Sequence, residues 1–267
     1  MNYILYCIIA GIIIGVIQGI LEWIPVSSET FVFLTAIFLG LSPLEALSIA
    51  IFLHFATALA AIIRFKQEYK EAMISVFRKN QKGRKLLIFI VIGTLSSAVI
   101  ALPLRLYEDI LLKSFSLDII ILLIGTLMII VGSMIYKIRR TGDKVLANIT
   151  KKDSTIIGLI QGFSILPGVS RSGITIAGLL LMRYKNADAV KGSFLLLAPI
   201  SILAGLYEIF VTRSIFIIPI LVTFAFLSAL LFSILTIKCM LSIARSINTG
   251  VFLIMIGILF MISYAFI

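Results

Sequence analysis

The chain has 267 residues, 61% of them hydrophobic, a mean hydropathy of +1.20 and a formal net charge of +11. A soluble globular domain is about 45–50% apolar, so the composition excludes a soluble protein and describes an integral membrane one. The basic residues gather in short segments between apolar runs, which follows the positive-inside rule and speaks against nucleic-acid binding.

The first residues, MNYILYCIIAG, have no basic n-region and no small-residue cleavage site, so no removable signal peptide is expected. Residues 3–41 read as an apolar helix, a break at Pro25, and a second short apolar helix over Phe31–Leu39. Neither arm has the length of a comfortable crossing, and the pair reads as a re-entrant hairpin. Irregular backbone at membrane depth is tolerated only where protein or a wet cavity satisfies its polar groups. Full spans follow at about 45–65, 86–104 and 117–136. Between the first two lies the basic segment RFKQEYKEAMISVFRKNQKGRK, and after the third comes KIRRTGDKVLANITKK. Two spans separate these segments, so they share a side, which the charge rule makes the cytoplasm. The link from Arg105 to Ser116 is short and nearly balanced in charge, as expected outside. A second hairpin is expected over 154–182, breaking at Pro167 and returning over Ile174–Met182. It precedes spans at about 192–211, 216–237 and 248–267. Cys7 and Cys239 both lie in apolar helices and imply no disulfide framework.

Each half of the chain is thus a hairpin plus three spans. Three is odd, so the second hairpin enters from the opposite face. The expected fold is an all-α integral membrane protein with an inverted-topology repeat, six transmembrane helices plus two re-entrant helical hairpins. It forms a single membrane domain over 1–267, with repeats of about 3–136 and 154–267 and both termini outside. In such folds the broken helices meet near the midplane.

The hairpins carry related phrases, GIIIGVIQGILEWIPVSSET at 11–30 and GLIQGFSILPGVSRSGIT at 158–175. Gly11, Gly15, Gln18, Gly19 and Glu22 recur at spacings of three and four and form one helix face. The glycines are accounted for by close helix packing. Glu22 is not, because a carboxylate in an apolar span is costly and marks a functional site by default. Ser27 and Ser28, after the Pro25 break, offer hydroxyls to a ligand or simply cap the next helix. In the second phrase Gly168 gives the turn freedom, and Ser170, Arg171 and Ser172 stand at the start of a helix. Helix N-termini bind anions, and an arginine fork suits phosphate oxygens. The other reading of Arg171 is a structural ion pair with Glu22.

These residues resemble the undecaprenyl-diphosphate phosphatase family, also known as bacitracin-resistance proteins. Gln18 to Glu22 matches that family's (E/Q)-x-x-x-E motif, Pro25 to Ser28 its P-V-S-S, and Pro167 to Thr175 its P-G-x-S-R-S-x-x-T. LHFATALAAIIRF from Leu53 and SFLLLAPISILAG from Ser193 are similar to two further family segments. The resemblance implies hydrolysis of a polyprenyl diphosphate to the monophosphate, aided by a divalent cation (Mg2+ or Ca2+), in the plasma membrane with the site facing the outer side. That reaction recycles a lipid carrier for wall or glycan synthesis. By position, Arg171 would clamp the phosphates, with Gly168, Ser170, Ser172 and Thr175 around it. Glu22, helped by Gln18, would hold the metal or position a water. Ser28 would line the reacting phosphate, and Ser27 could be a nucleophile. The chain departs from the family where a histidine follows the second serine by three positions. Phe31 stands there, preceded by Glu29 and Thr30. Glu29 then becomes the candidate base, unless Glu22 acts alone through a metal-bound water. His54, the sole histidine, has either a direct role or a packing one, and Ala56 replaces a family glycine beside it. A polyprenyl-phosphate transporter or flippase, or a non-catalytic lipid-binding relative, is the competing expectation.

Overall fold

The computed structural model describes residues 3–24, 26–78, 80–114, 117–137, 142–166, 169–246 and 248–264. The predicted breaks at Pro25 and Pro167 and the candidate Gly168 lie outside the described residues. The elements are α1 (Tyr3–Leu21), α2 (Ser28–Phe38), α3 (Pro43–Arg64), α4 (Lys66–Ile74), α5 (Gln81–Ser114) and α6 (Leu117–Tyr136), followed by α7 (Lys151–Gly162), α8 (Arg171–Leu181), α9 (Asn186–Tyr207), α10 (Pro219–Ser246) and α11 (Thr249–Tyr264). Among the described residues the only β-pairing is an isolated bridge between Lys144 and Tyr184.

Five helical segments are long and apolar enough to cross a membrane: Tyr3–Leu21, Pro43–Arg64, Gln81–Tyr107, Asn186–Thr212 and Pro219–Cys239. Large apolar side chains such as Ile12, Leu95, Val99, Phe210 and Leu235 face outward. In water such a surface would aggregate, whereas hydrocarbon solvates it. Inside, two buried clusters meet. One is built around Trp23, Phe89, Ile157 and Phe194. The other is built around Ile14, Val32, Leu53 and Leu221.

The helices pair in a reciprocal pattern. α1 packs along α10 and α7 packs along α5, while α3 lies on α9 and α6 on α11. Each of the short helices α2 and α8 packs on the long helix that follows it. α2 and α8 are each 11 residues long and the two that follow are each 22. The ends of each hairpin also meet. Tyr6, near the start of α1, donates to the Leu39 carbonyl just past α2. Tyr184, just past α8, donates to Asp153 Oδ2 in the first turn of α7 at 2.6 Å.

The glycine face of α1 is explained by its partner. A Cβ on Gly15 would lie 2.0 Å from Ser228 Oγ and 2.2 Å from the Ala225 carbonyl oxygen, and backbone cannot step aside as a side-chain tip can. Gly15→Leu is therefore expected to push α1 off α10. Overpacking of this kind costs about 1–3 kcal/mol, readable as a lower thermal unfolding temperature in detergent. A variant as stable as the parent would show that α1 and α10 separate freely.

Three expectations change. α1, with 19 residues, is long and apolar enough to cross, although neither arm of the first hairpin is expected to have that length. α5 continues through Pro103 to Ser114, so Arg105 is not in an outer loop. It is a helical residue, 5% exposed, whose guanidinium pairs with Glu208 at 2.9 Å. That buried partner, invisible in local sequence, holds the charge inside. The basic segment expected as a loop after α3 contains α4, whose Tyr69 hydroxyl donates to the Leu195 carbonyl at 2.8 Å.

Candidate active site

Two breaks bring the site together. Ser27 is the N-cap of α2, its Oγ accepting from Thr30 N at 3.4 Å and Thr30 Oγ1 at 2.9 Å. Ser170 is the N-cap of α8, accepting from Gly173 N at 3.1 Å. The first turns of both helices face one small polar cavity, lined by Glu22, Ser27, Ser28, Glu29, His54, Ser164, Arg171 and Ser172 together with Val26 and Val169. Its volume is about 10 Å³, room for about one water molecule. Ser172 Oγ donates across to the Ile24 carbonyl at 3.4 Å and so ties the second phrase to the first.

On the acidic side, Glu22 Oε2 is held three ways. Gln18 Nε2 donates at 2.8 Å, Ser28 Oγ donates at 2.6 Å, and His54 Nε2 lies 3.3 Å away. All four residues are buried. Gln18 thus acts through Glu22 and does not itself line the cavity. His54 Nδ1 is buried without a hydrogen-bond partner among the described residues, so the imidazole is oriented from its Nε2 side alone. Glu29, also buried, lies on the cavity wall in the first turn of α2. Phe31 does not line it.

On the basic side, Arg171 Nε donates to Ser164 Oγ at 3.4 Å and Nη1 to Ser201 Oγ at 2.5 Å. No ion pair joins Arg171 to Glu22 among the described residues, although both line the cavity. The two serines fix the guanidinium plane and leave it donors for a ligand, since arginine carries five. Ser170 stands behind Ser172, with Oγ atoms 3.3 Å apart. Thr175 is one turn further on, bonded to the Arg171 carbonyl at 2.7 Å and to Ser193 Oγ. It supports α8 and is not on the cavity wall. Ser164 and Ser201 escaped the sequence reading. Ser164 sits within the repeated phrase and Ser201 within the segment from Ser193, but a serine in an apolar helix gives no sign of which residue it meets.

Arg171 and Ser164 also line a second, larger cavity of about 360 Å³. Its walls are aliphatic, including Ile51, Ala101, Leu102, Ile165, Ile200 and Leu203, with Arg105 and Tyr207 also on its wall. Leu102 and Leu203 are half exposed at the protein surface. A small polar chamber with a guanidinium at its border and an apolar chamber beyond it suits a ligand with a charged head and a hydrocarbon stem.

No group of three or more His, Cys, Asp or Glu side chains is arranged to hold a metal ion among the described residues. Glu22 on the cavity wall still fits a hard cation shared with a ligand, because Mg2+ is often bound by one or two carboxylates plus substrate phosphates.

Known proteins resemble this chain over most of its length. The sequence model of the bacitracin resistance protein BacA family matches residues 11–262. The undecaprenyl-diphosphatase of Pyrobaculum aerophilum is 34% identical over 250 residues, which cover 92% of this chain and 93% of that one. That of Methanococcoides burtonii is 32% identical over 266 residues, covering 93% and 95%. That of Saccharolobus solfataricus is 34% identical over 276 residues, covering 98% and 96%.

Proposed function

The chain belongs to the bacitracin resistance protein BacA family, and we propose that it is a membrane phosphatase that hydrolyses an undecaprenyl-type polyprenyl diphosphate to the monophosphate. One observation carries the reading: two helix N-termini and the Arg171 guanidinium converge on a cavity that also presents Glu22 and Glu29. Converging helix N-termini and an arginine make an anion site. The opposed carboxylates make it one that can take a proton.

The terminal phosphate of the substrate sits against Arg171 and the first turns of α2 and α8. The first isoprene units lie in the aliphatic cavity and leave between Leu102 and Leu203. An oxygen nucleophile, either Ser27 Oγ or a water that enters with the substrate, attacks the terminal phosphorus while its proton passes to Glu29. The bond from that phosphorus to the bridging oxygen breaks, and the bridging oxygen leaves as part of the lipid monophosphate. If Ser27 attacks, Glu29 passes the first proton to the departing lipid monophosphate. A water then attacks the phosphoserine, giving a proton to Glu29 as the P–Oγ bond breaks, and Ser27 Oγ takes that proton back as phosphate leaves. Either route consumes one water and releases one phosphate. A divalent cation held by Glu22 and the diphosphate would neutralise charge there. His54 and Gln18 keep the Glu22 carboxylate in place.

The fold reading that accompanies this is a single membrane domain of two inverted repeats, about 3–136 and 154–267, with six spans and two re-entrant hairpins. The reciprocal packing of α1 on α10 and α7 on α5 supports it, as do the joined hairpin ends at Tyr6–Leu39 and Tyr184–Asp153. At 19 residues α1 is long enough to cross. The short α2 and the meeting of its end with Tyr6 favour a hairpin that returns to the side it entered. The basic segments then lie in the cytoplasm and the site opens outward. A cysteine placed at Asn80, with Cys7 and Cys239 replaced, is expected to react with an impermeant maleimide only after the cells are permeabilised. Labelling in intact cells would reverse the orientation.

Paired hairpins are also the architecture of transporters. Purified protein separates the readings. The phosphatase releases inorganic phosphate from a long-chain prenyl diphosphate. A transporter moves labelled lipid between vesicle leaflets and releases none.

A further inference from the structure

Arg105 and Glu208 form an ion pair within the apolar segments Gln81–Tyr107 and Asn186–Thr212, Nη2 to Oε1 at 2.9 Å. Arg105 is the one buried cation among the described residues, and Glu208 is fully buried. Packing alone is a weak reason to keep such a pair, because well-packed apolar replacements are often as stable or more so. Ionisable groups inside a membrane mark ligand or ion paths by default. Two further features give this pair a place on such a path. Arg105 lines the same aliphatic cavity as Arg171, so a chamber built for hydrocarbon has guanidinium groups on its wall from two helices. Glu208 opens a π-helical turn, Glu208–Thr212, at the end of α9, and such distortions collect at functional sites. The Tyr207 ring, 5.8 Å from Arg105 Cζ, gives the guanidinium a second support if the carboxylate lets go.

Charge identifies the ligand. In the polar chamber Arg171 is the one permanently charged cationic side chain, His54 being turned to Glu22, and even with a divalent cation beside Glu22 one guanidinium is little for a diphosphate or for two separate phosphates after cleavage. The other guanidinium on the wall of the chamber that holds the lipid stem is Arg105. We infer that Arg105 is a second phosphate-binding side chain for the same lipid, paired with Glu208 at rest and with a phosphate group when the lipid enters or leaves. Glu208 competes with that phosphate for the guanidinium. The inference rests on the phosphatase reading for the identity of the lipid.

The test uses full-length protein in mixed micelles and three variants: Glu208→Gln, Arg105→Gln, and the double Arg105→Gln/Glu208→Gln. The double variant leaves no buried charge uncompensated if Arg105→Gln alone fails to fold. Inhibition of phosphate release is measured with a long-chain prenyl monophosphate and, separately, with inorganic phosphate. Removing the competitor in Glu208→Gln should tighten inhibition by the lipid monophosphate about tenfold, and removing Arg105 should weaken it about tenfold or more, as expected for one charge-assisted bond to phosphate. The opposite signs matter, since a merely structural pair would weaken binding in every variant or in none. A shift confined to the lipid assigns the position to the lipid headgroup. The same shift with inorganic phosphate assigns it to released phosphate as well. Equal inhibition constants in all proteins, or weaker inhibition in Glu208→Gln, overturn the inference. If the wild type releases no phosphate, the phosphatase reading falls by itself. Thermal shift with the prenyl monophosphate across the same variants then decides on Arg105.

Discussion

Arg171→Ala is expected to lower phosphate release by about 10²–10³-fold or more, the usual cost of removing one preorganised donor to a developing oxyanion. The side chain is placed for that role. Ser164 and Ser201 hold two of its nitrogens, and it lies at the boundary of the polar and aliphatic chambers. The loss should appear in both kcat and KM, because the same fork binds the ground-state diphosphate. Arg171→Lys should also be severely impaired, since a point charge cannot bond both serines and a phosphate edge. Folding is checked by thermal unfolding of each variant. If the alanine variant folds and turns over at close to the parent rate, Arg171 is not the clamp.

Glu29→Gln carries the second large effect, a fall of about 10²–10⁴-fold, typical for loss of a general base. Glu29 lines the chamber beside Ser27, and the histidine that the family pattern places nearby is Phe31, which lies off the wall. The alternative is that Glu29 only complements the dipole of α2, worth about 0.3–1 kcal/mol of stability and nothing in rate. The pH profile separates them. A base must be ionised to work, so the parent should lose activity as pH falls, and the glutamine variant should lack that limb. Turnover within a few fold of the parent, with an unchanged profile, would reject the base role and leave Glu22 as the carboxylate that activates the water.

Much of this was legible from the residues. The repeated G-x-I-Q-G phrases, the prolines after them and the serines beyond announce two broken helices, and Ser27 and Ser170 do cap the helices that follow. The sequence also marks Glu22 and Arg171 as expensive in hydrocarbon. Both border the chamber, but they do not bond each other. His54 is the instructive middle case. Its segment stands out by resemblance alone, and only the packing of α3 against the break after α1 sets its Nε2 3.3 Å from Glu22. The position of Arg105 is hidden for a related reason. Charge near the end of an apolar run reads as a loop, because local sequence cannot display a carboxylate more than a hundred positions away. Ser164 and Ser201 were missed because a lone hydroxyl in a helix is satisfied by its own backbone as readily as by an arginine.

The equal lengths of α2 and α8, with a serine capping each, have a consequence for symmetry. Counted from those caps, Ser28 corresponds to Arg171 and Glu29 to Ser172. A chain built from two identical hairpins would place either two guanidiniums or four carboxylates in the chamber, because the first hairpin contributes both Glu22 and Glu29. The first would hold a diphosphate and have nothing to accept a proton, and the second would repel the substrate. The two tips must therefore differ in sign at just these places, while the backbone around them remains free to stay alike.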